Sequence, residues 1–358
     1  MRDTFITTKL ENILKEYGIV EEIIAFRHLQ SGLINQTSKI EAGGKLFILQ
    51  KINHSVFNEP AKIAHNIRVI GNYLALHHPN YTFVAPVRTC TGEDTITLEG
   101  GQYYRLFPFV TGSHTLNKVT TPMQAFEAAS QFGAFTALLS GFDIIQLQIT
   151  IPYFHDLTFR YQQFAEAVVN ANPVRKTIAA ALIATMQDHF DIVIEFENIK
   201  KNPAFKKRVT HHDTKISNVL FNDSDRAICV IDLDTVMPGY FISDVGDMMR
   251  TYLSPATEEE TDLSKVVIRE EIFKAIVDGY LLEMKDELTP AESCSFVYAA
   301  KFIIYMQGLR FLTDYLNNDR YYTPSYPDHN FNRAMNQSVL LKQIFEKEDI
   351  LSSYQSIR

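Results

Sequence analysis

The sequence predicts an α+β chain in two lobes, a small β-rich N-terminal lobe (residues 1–110) and a large, mainly helical C-terminal lobe (111–358). Three observations carry this. Short apolar runs separated by glycine turns fill residues 23–52 and 94–110. From about residue 113 the apolar residues recur at helical spacing instead. Strands gathered early and helices late are the α+β pattern, and 358 residues are enough for two lobes.

In chain order, a first helix spans about Thr8 to Tyr17. Leu10, Ile13, Leu14 and Tyr17 share its apolar face, and Gly18 stops it. Residues 23–53 read strand, loop Ser31–Gln36, strand, Gly43-Gly44 turn, strand. Gly-Gly between strands is a hairpin signal. On the third strand Phe47, Leu49 and Lys51 share one face, and Ile48, Gln50 and Ile52 the other. A helix over Pro60–His77 sets Ile63, Ile67, Ile70 and Leu74 at helical spacing. Glu99-Gly100-Gly101 turns between two further strands, and Phe107-Pro108-Phe109-Val110 leads out of the lobe. Thr121 caps a helix that Gly141 stops, with Pro122 at its first position. Asp156 caps another to Val169, and Asn172-Pro173 opens a long helix ending before Pro203. The segment ATEEETDL is a solvated acidic turn or helix start. The last helices cover residues 265–285, 290–316 and 332–347.

A net charge of −8 argues against nucleic acid and anionic membrane as partners. Cys90, Cys229 and Cys294 are odd in number and lack disulfide or zinc spacing, which fits a reducing cytoplasm. Cys229 lies in an apolar strand and reads as packing. The N-terminus has no apolar signal core, and no run is long and apolar enough to span a bilayer.

The stretch KRVTHHDTKISNVLFNDSDRAICVIDLDTVMPGYFISDVGD (residues 207–247) stands apart. It reads as a strand ending near Thr210, a polar loop His211–Ser217, a strand to Phe221, an NDSD turn and a strand Ala227–Leu233. Turn chemistry explains NDSD. It does not explain His211, Asp213, Asn218 and Asp232 together. An Asp in such a loop can orient a hydroxyl and accept its proton. An Asn a few residues on and an Asp after the next strand can ligate the Mg²⁺ that bridges nucleotide phosphates. Mg²⁺ takes hard oxygen ligands, usually one or two carboxylates with phosphate oxygens and water.

The pattern His211-x-Asp213-x4-Asn218, then Ile231-Asp232, then Asp244-x-x-Asp247, resembles the aminoglycoside phosphotransferase and choline kinase family. Within it the chain most resembles the N-acetylhexosamine 1-kinases, on QKINHSVF (50–57), HHDTKISNVLF with VIDLDTVMPG, and GLRFLTDYLNNDRYY (308–322). The resemblance covers nearly the whole chain. It implies a bilobal protein-kinase-like fold, with residues 1–110 binding ATP and residues 111–358 holding the catalytic groups and the acceptor. It implies a small-molecule kinase that uses ATP and Mg²⁺ and moves the γ-phosphoryl group to a sugar hydroxyl, the anomeric one of an N-acetylhexosamine.

On that resemblance Asp213 is the catalytic carboxylate, His211 braces its loop, and Asn218 and Asp232 hold the metal. Asp244 supports the loop, N-capping being the alternative. Asp234 is a second ligand or a structural acceptor. Ser31 and Gly32 lie over the phosphates, Lys51 meets them, and Phe107 and Phe109 flank adenine at the hinge. Kinases pair the strand Lys with a helix Glu; here the only acid is Glu59 at the helix start, which leaves Asn66 or no partner. Arg310 and Tyr321 contact the acceptor, with Asp314 and Tyr322 as neighbours; an Arg310 paired to an internal acid is the competing reading. A cationic acceptor needs a carboxylate cluster or an aromatic cage. The chain has no Trp and presents Arg310, so a neutral sugar fits better. Choline, homoserine and an aminoglycoside remain alternative acceptors. A metal-dependent glycosyltransferase and an inactive kinase fold are the alternatives of other classes. The expected state is a monomer or weak homo-oligomer.

Overall fold

The computed structural model describes residues 2–29, 35–54, 56, 57, 59–98 and 100–355. The predicted Ser31 and Gly32 contacts lie outside the described residues. The N-terminal elements are α1 (Arg2–Glu16), β1 (Ile23–Leu29), β2 (Gln36–Ala42), β3 (Lys45–Ile52), α2 (Pro60–His77), β4 (Ile96–Leu98), β5 (Gln102–Pro108) and β6 (Ser113–His114). Then come α3 (Pro122–Leu138), α4 (Leu157–Asn170), α5 (Pro173–Ile178), α6 (Ala180–Asp188), α7 (Asp191–Lys201), β7 (Lys207–Thr210), β8 (Val219–Asn222), β9 (Ala227–Val230) and β10 (Met237–Tyr240). The chain ends with α8 (Phe241–Tyr252), α9 (Glu270–Met284), α10 (Pro290–Ser293), α11 (Phe296–Leu316), α12 (His329–Glu346) and α13 (Glu348–Ser353). Among the described residues no helix is long and apolar enough to cross a membrane.

The chain forms two compact units. The first comprises residues 1–114, 142–151 and 220–237. Its main sheet is antiparallel in the order β1-β2-β3-β5-β4. Gly43 and Gly44 both take positive φ, so Ala42 pairs directly with Lys45 across a two-residue turn. Leu10, Ile13 and Leu14 of α1 and the following Tyr17 pack with Ile40, Phe47, Leu49, Tyr104 and Leu106 on one sheet face. On α2, Ile63, Ile67, Ile70 and Leu74 are buried, as their spacing predicts. Asn66 on that helix is fully buried. It donates to the Gln148 and Val236 carbonyls and accepts from the Gln148 N–H, so it is an anchor for backbone and not a partner for Lys51.

The second unit comprises residues 115–141, 152–219 and 238–358. Its spine is α11, buried around most of its circumference by Phe302, Ile303, Ile304, Tyr305, Leu309 and Leu312. A helix apolar all round belongs in a core. Elsewhere α3 and α9 cross closely: a Cβ on Gly279 would sit 2.3 Å from the Phe126 carbonyl oxygen. A buried ion pair, Arg208 with Glu292 at 2.6 Å, ties β7 to the capping box of α10.

Several boundaries differ from the sequence reading. The long helix predicted from Pro173 is three helices. Buried Leu182, Ile183 and Met186 are followed by Ile192, Val193, Phe196 and Ile199, and the six-residue step from 186 to 192 breaks the apolar stripe. The helix predicted from Pro290 is split at Cys294–Ser295, because Glu292 turns back to close the cap on Thr289 and to meet Arg208. The ATEEETDL segment is ion-paired: Glu258 bonds Arg250 at 2.7 Å, and Glu259 bonds His329 and Arg333. Asn336 also holds its Thr257 and Glu260 carbonyls. Cys229 is buried as expected, and burial pushes its thiol up to about 12.

Candidate active site

β7 delivers the polar loop. Its sheet partner is β10, and the loop follows at His211. Asp244 lies in the first turn of α8 and is 1 % exposed. Its Oδ2 accepts the His211 N–H at 2.9 Å and its Oδ1 the His212 N–H at 2.7 Å. One turn on, Asp247 Oδ2 accepts the Thr214 N–H at 2.8 Å. The Thr214 hydroxyl donates to the Asp244 carbonyl, and Tyr252 donates to the Thr214 carbonyl. Neither acid caps α8, which begins after Tyr240 with no side-chain cap. α8 is thus a clamp on the backbone of residues 211–214. Burial raises the Asp244 carboxyl to about 7, against the pull of the two N–H groups.

His212 holds the turn in the left-handed region (φ 65°). The residue is 5 % exposed, and its ring lies 5.1 Å from the His155 ring and 6.3 Å from that of Phe154. Gly239 makes room for it: a Cβ there would fall 2.5 Å from Nε2 and 3.0 Å from the Thr210 Cβ. Gly239→Ala is therefore expected to displace His212 and the loop, lowering kcat about a hundredfold at a stability cost of roughly 1–3 kcal/mol. Steady-state kinetics beside a urea titration check it; an alanine variant with ordinary kcat refutes the packing argument. His211 is fully buried, its ring edge-on to Phe132 at 5.2 Å, and its Nδ1 accepts the Asp213 N–H.

Asp213 carries the exposed end of the loop, its side chain 25 % accessible. Its Oδ2 meets Lys215 Nζ at 2.7 Å and Asn218 Nδ2 at 3.0 Å. Burial alone would raise this carboxyl. The Lys215 ammonium and the Asn218 amide outweigh it and hold the pKa below the usual Asp value. Asn218 Nδ2 also donates to the Asp213 carbonyl, which turns the amide oxygen away from that carboxylate.

In the first unit, Asp232 follows β9 and takes a left-handed backbone (φ 63°, ψ 57°). A non-glycine residue held there is uncommon and clusters at functional sites. Asp234 is a structural acceptor: it pairs with buried Arg105 at 2.6 Å and accepts from Asn35 at 2.8 Å. Arg105 also donates to Gln50 Oε1, and Gln50 donates to Thr37, so the Gln50 amide is committed within the sheet. Lys51 lies on the opposite face of β3, and its side chain has no hydrogen-bond or ion-pair partner among the described residues. Phe107 lies 5.1 Å from the Arg105 guanidinium and Phe109 3.8 Å from the Lys39 ammonium. The Phe109 N–H is taken by the Leu46 carbonyl.

In the second unit, Arg310, Tyr321 and Tyr322 line a cavity of about 430 Å³ between α4 and the end of α11. Among the described residues Arg310 is not paired with an acid. It donates to Gln307 Oε1 and lies 5.6–5.9 Å from the Phe154, Tyr321 and Tyr322 rings. Asp314 is instead a brace, accepting the Tyr321 and Tyr322 N–H groups and the Asn330 amide. Phe154 and His155 link this cavity to His212, beside Asp213.

Sequence reading overlooked Lys215, Arg105 and Arg160, the last another lining residue of the cavity. Lys215 was visible as the cation two residues after Asp213. Arg105 and Arg160 were visible only as cations inside apolar runs, YYRLFPF and LTFRYQQF.

A carboxylate on a strand-to-loop turn clamped by a helix, in a chain that has one antiparallel-sheet unit and one mainly helical unit, defines a protein-kinase-like fold. A profile of the phosphotransferase enzyme family matches residues 25–270, so the chain belongs to that family, whose chemistry is phosphoryl transfer to small molecules. Solved structures agree on the fold. Spectinomycin phosphotransferase with ADP and spectinomycin superposes at TM-score 0.60, with 15% identity, over 95% of this chain and 98% of that one. A microcompartment-associated aminopropanol kinase gives 0.62 at 17% identity over 96% and 98%. A Plasmodium vivax ethanolamine kinase gives 0.57 at 13% identity over 90% and 84%.

Proposed function

We propose that the protein transfers the γ-phosphoryl group of ATP to the anomeric hydroxyl of an N-acetylhexosamine such as N-acetylglucosamine or N-acetylgalactosamine. The observation that carries this is the Asp213 carboxylate, ionised by Lys215, oriented by Asn218 and mounted on a loop that α8 clamps. Asp213 orients the acceptor hydroxyl and takes its proton late. A loose transition state asks for positioning more than for a strong base. Lys215 balances the Asp213 charge before transfer, and His211 and Asp244 keep the loop in place.

The donor set fits Mg²⁺. The amide oxygen of Asn218, turned away from Asp213, and the carboxylate of Asp232 are hard oxygen ligands, which leave its other positions to phosphate and water. Bound Mg²⁺ would neutralise charge developing on the phosphates. Lys51, with no protein partner among the described residues, would meet the phosphates together with Ser31 and Gly32, while Phe107 and Phe109 would flank adenine. On this reading residues 1–110 form the nucleotide lobe and residues 111–358 the catalytic and acceptor lobe. Arg310 and Tyr321 would hold the sugar. The Arg310 guanidinium and the absence of Trp argue against a cationic acceptor.

The test is ATP-dependent ADP release with N-acetylglucosamine, N-acetylgalactosamine, choline, homoserine and kanamycin, followed by phosphorus NMR of the product. A hexosamine 1-phosphate is expected. Turnover of choline or kanamycin with neither hexosamine used would overturn the assignment.

A further inference from the structure

The cavity between α4 and the end of α11 holds more positive charge than a neutral sugar requires. Elsewhere in the protein, four shielded guanidiniums each meet a carboxylate at 2.6–2.9 Å: Arg105 with Asp234, Arg175 with Asp319, Arg208 with Glu292 and Arg250 with Asp247. Among the described residues, Arg160 on α4 and Arg310 on α11 do not. Arg160 donates to Gln163 Oε1 and the Phe154 carbonyl, Arg310 to Gln307 Oε1, and all three acceptors are neutral. The Arg160 Nε is buried with no hydrogen-bond partner among the described residues. Arg320 adds a third guanidinium to the lining. Of the two acids there, Asp314 is spent on backbone N–H groups, and Glu166 is exposed. Burial and the nearby Arg310 charge lower the Arg160 pKa to about 10, and burial together with the His212, Arg310 and Arg160 charges keeps His155 neutral. A shielded charge without a counter-ion is costly, and the cost is relieved when a ligand supplies the anion.

We infer that the preferred acceptor carries an acidic group, carboxylate or phosphate, bound by Arg160 and Arg310, with neutral N-acetylhexosamines held more weakly. The inference rests on the reading of this cavity as the acceptor site. The planar guanidinium fork suits either anion. Arg160 then sets specificity, with Arg310 serving both the sugar and its acidic substituent.

Calorimetric titration of the full-length protein with two matched pairs tests this: N-acetylglucosamine against N-acetylglucosamine 6-phosphate, and glucose against glucuronate. In at least one pair the anionic member is expected to bind about tenfold or more tightly, since a charge-assisted bond is worth about that factor. Which pair shows it tells phosphate from carboxylate. Arg160→Gln should bring the ratio close to one, and Arg160→Lys should keep part of it. If Arg160→Gln fails to fold in a thermal melt, Arg310→Gln makes the same test. Equal or weaker binding of both anions, or no sugar binding at all, overturns the inference. So does a preference that survives in both glutamine variants. Turnover of neutral N-acetylglucosamine with no anion preference removes the inference and leaves the proposed function. Anion preference with no transfer to any sugar does the reverse.

Discussion

Asp213→Asn is expected to lower kcat for phosphoryl transfer by about three orders of magnitude, the range a positioned proton acceptor supplies. The amide keeps the size of the carboxylate and can still meet Asn218 through its oxygen. It loses the charge that holds Lys215 at 2.7 Å and cannot take the hydroxyl proton. The Asp213–Lys215 pair is partly exposed, so its loss should cost no more than about 1 kcal/mol, a fall of roughly 4 °C or less in melting temperature. ATP binding should persist. Coupled ADP-release kinetics with a thermal melt check the split. An asparagine variant within tenfold of the parent would remove Asp213 from the chemistry.

The second large effect concerns the clamp. Asp244→Ala leaves two buried backbone N–H groups, those of His211 and His212, without their acceptor. Each such orphan costs about 1–3 kcal/mol, so roughly 3 kcal/mol of stability should be lost. The freed loop no longer presents Asp213 in register, and kcat should fall at least about a hundredfold. Asp244→Asn separates charge from shape. The Asp244 carboxyl titrates near 7 in the fold against an ordinary value of 3.8, because burial disfavours its charge. Between those values the folded state holds more protons than the unfolded one. Its stabilising contribution is therefore complete below about pH 4 and is lost as pH rises through 7. Urea midpoints from pH 4 to 8 should fall more steeply for the parent than for Asp244→Asn. Identical slopes would show that Asp244 is ionised throughout.

How much of this was readable in advance depended on whether the cause was local. The α1 stripe of Leu10, Ile13, Leu14 and Tyr17, the Gly43-Gly44 hairpin and the Asp156 cap were placed correctly, because spacing, turn chemistry and a cap act within a few residues. The helices after Pro173 and Pro290 were joined wrongly. The first break follows a phase slip in burial that only packing reveals. The second depends on Arg208, 84 positions from Glu292. The polar loop was recognised from residue type and order. Its clamp was expected at Asp244 through the resemblance alone, since an Asp at the start of a helix reads equally well as a cap until the N–H groups it accepts are seen.

The chain's order of residues alone established the α+β class, the phosphotransferase family and the segment carrying Asp213 and Asn218. The class and the segment are encoded by periodicity and by close spacing along the backbone, and the family was legible through the resemblance of its motifs. Only the folded arrangement decided that Gln50 and Asp234 are committed to Arg105, that α8 grips the loop, and that Arg160 joins Arg310 in one cavity. Those groups are 30 to 150 residues apart, and a charge shows its role only when its partners, or their lack, are known.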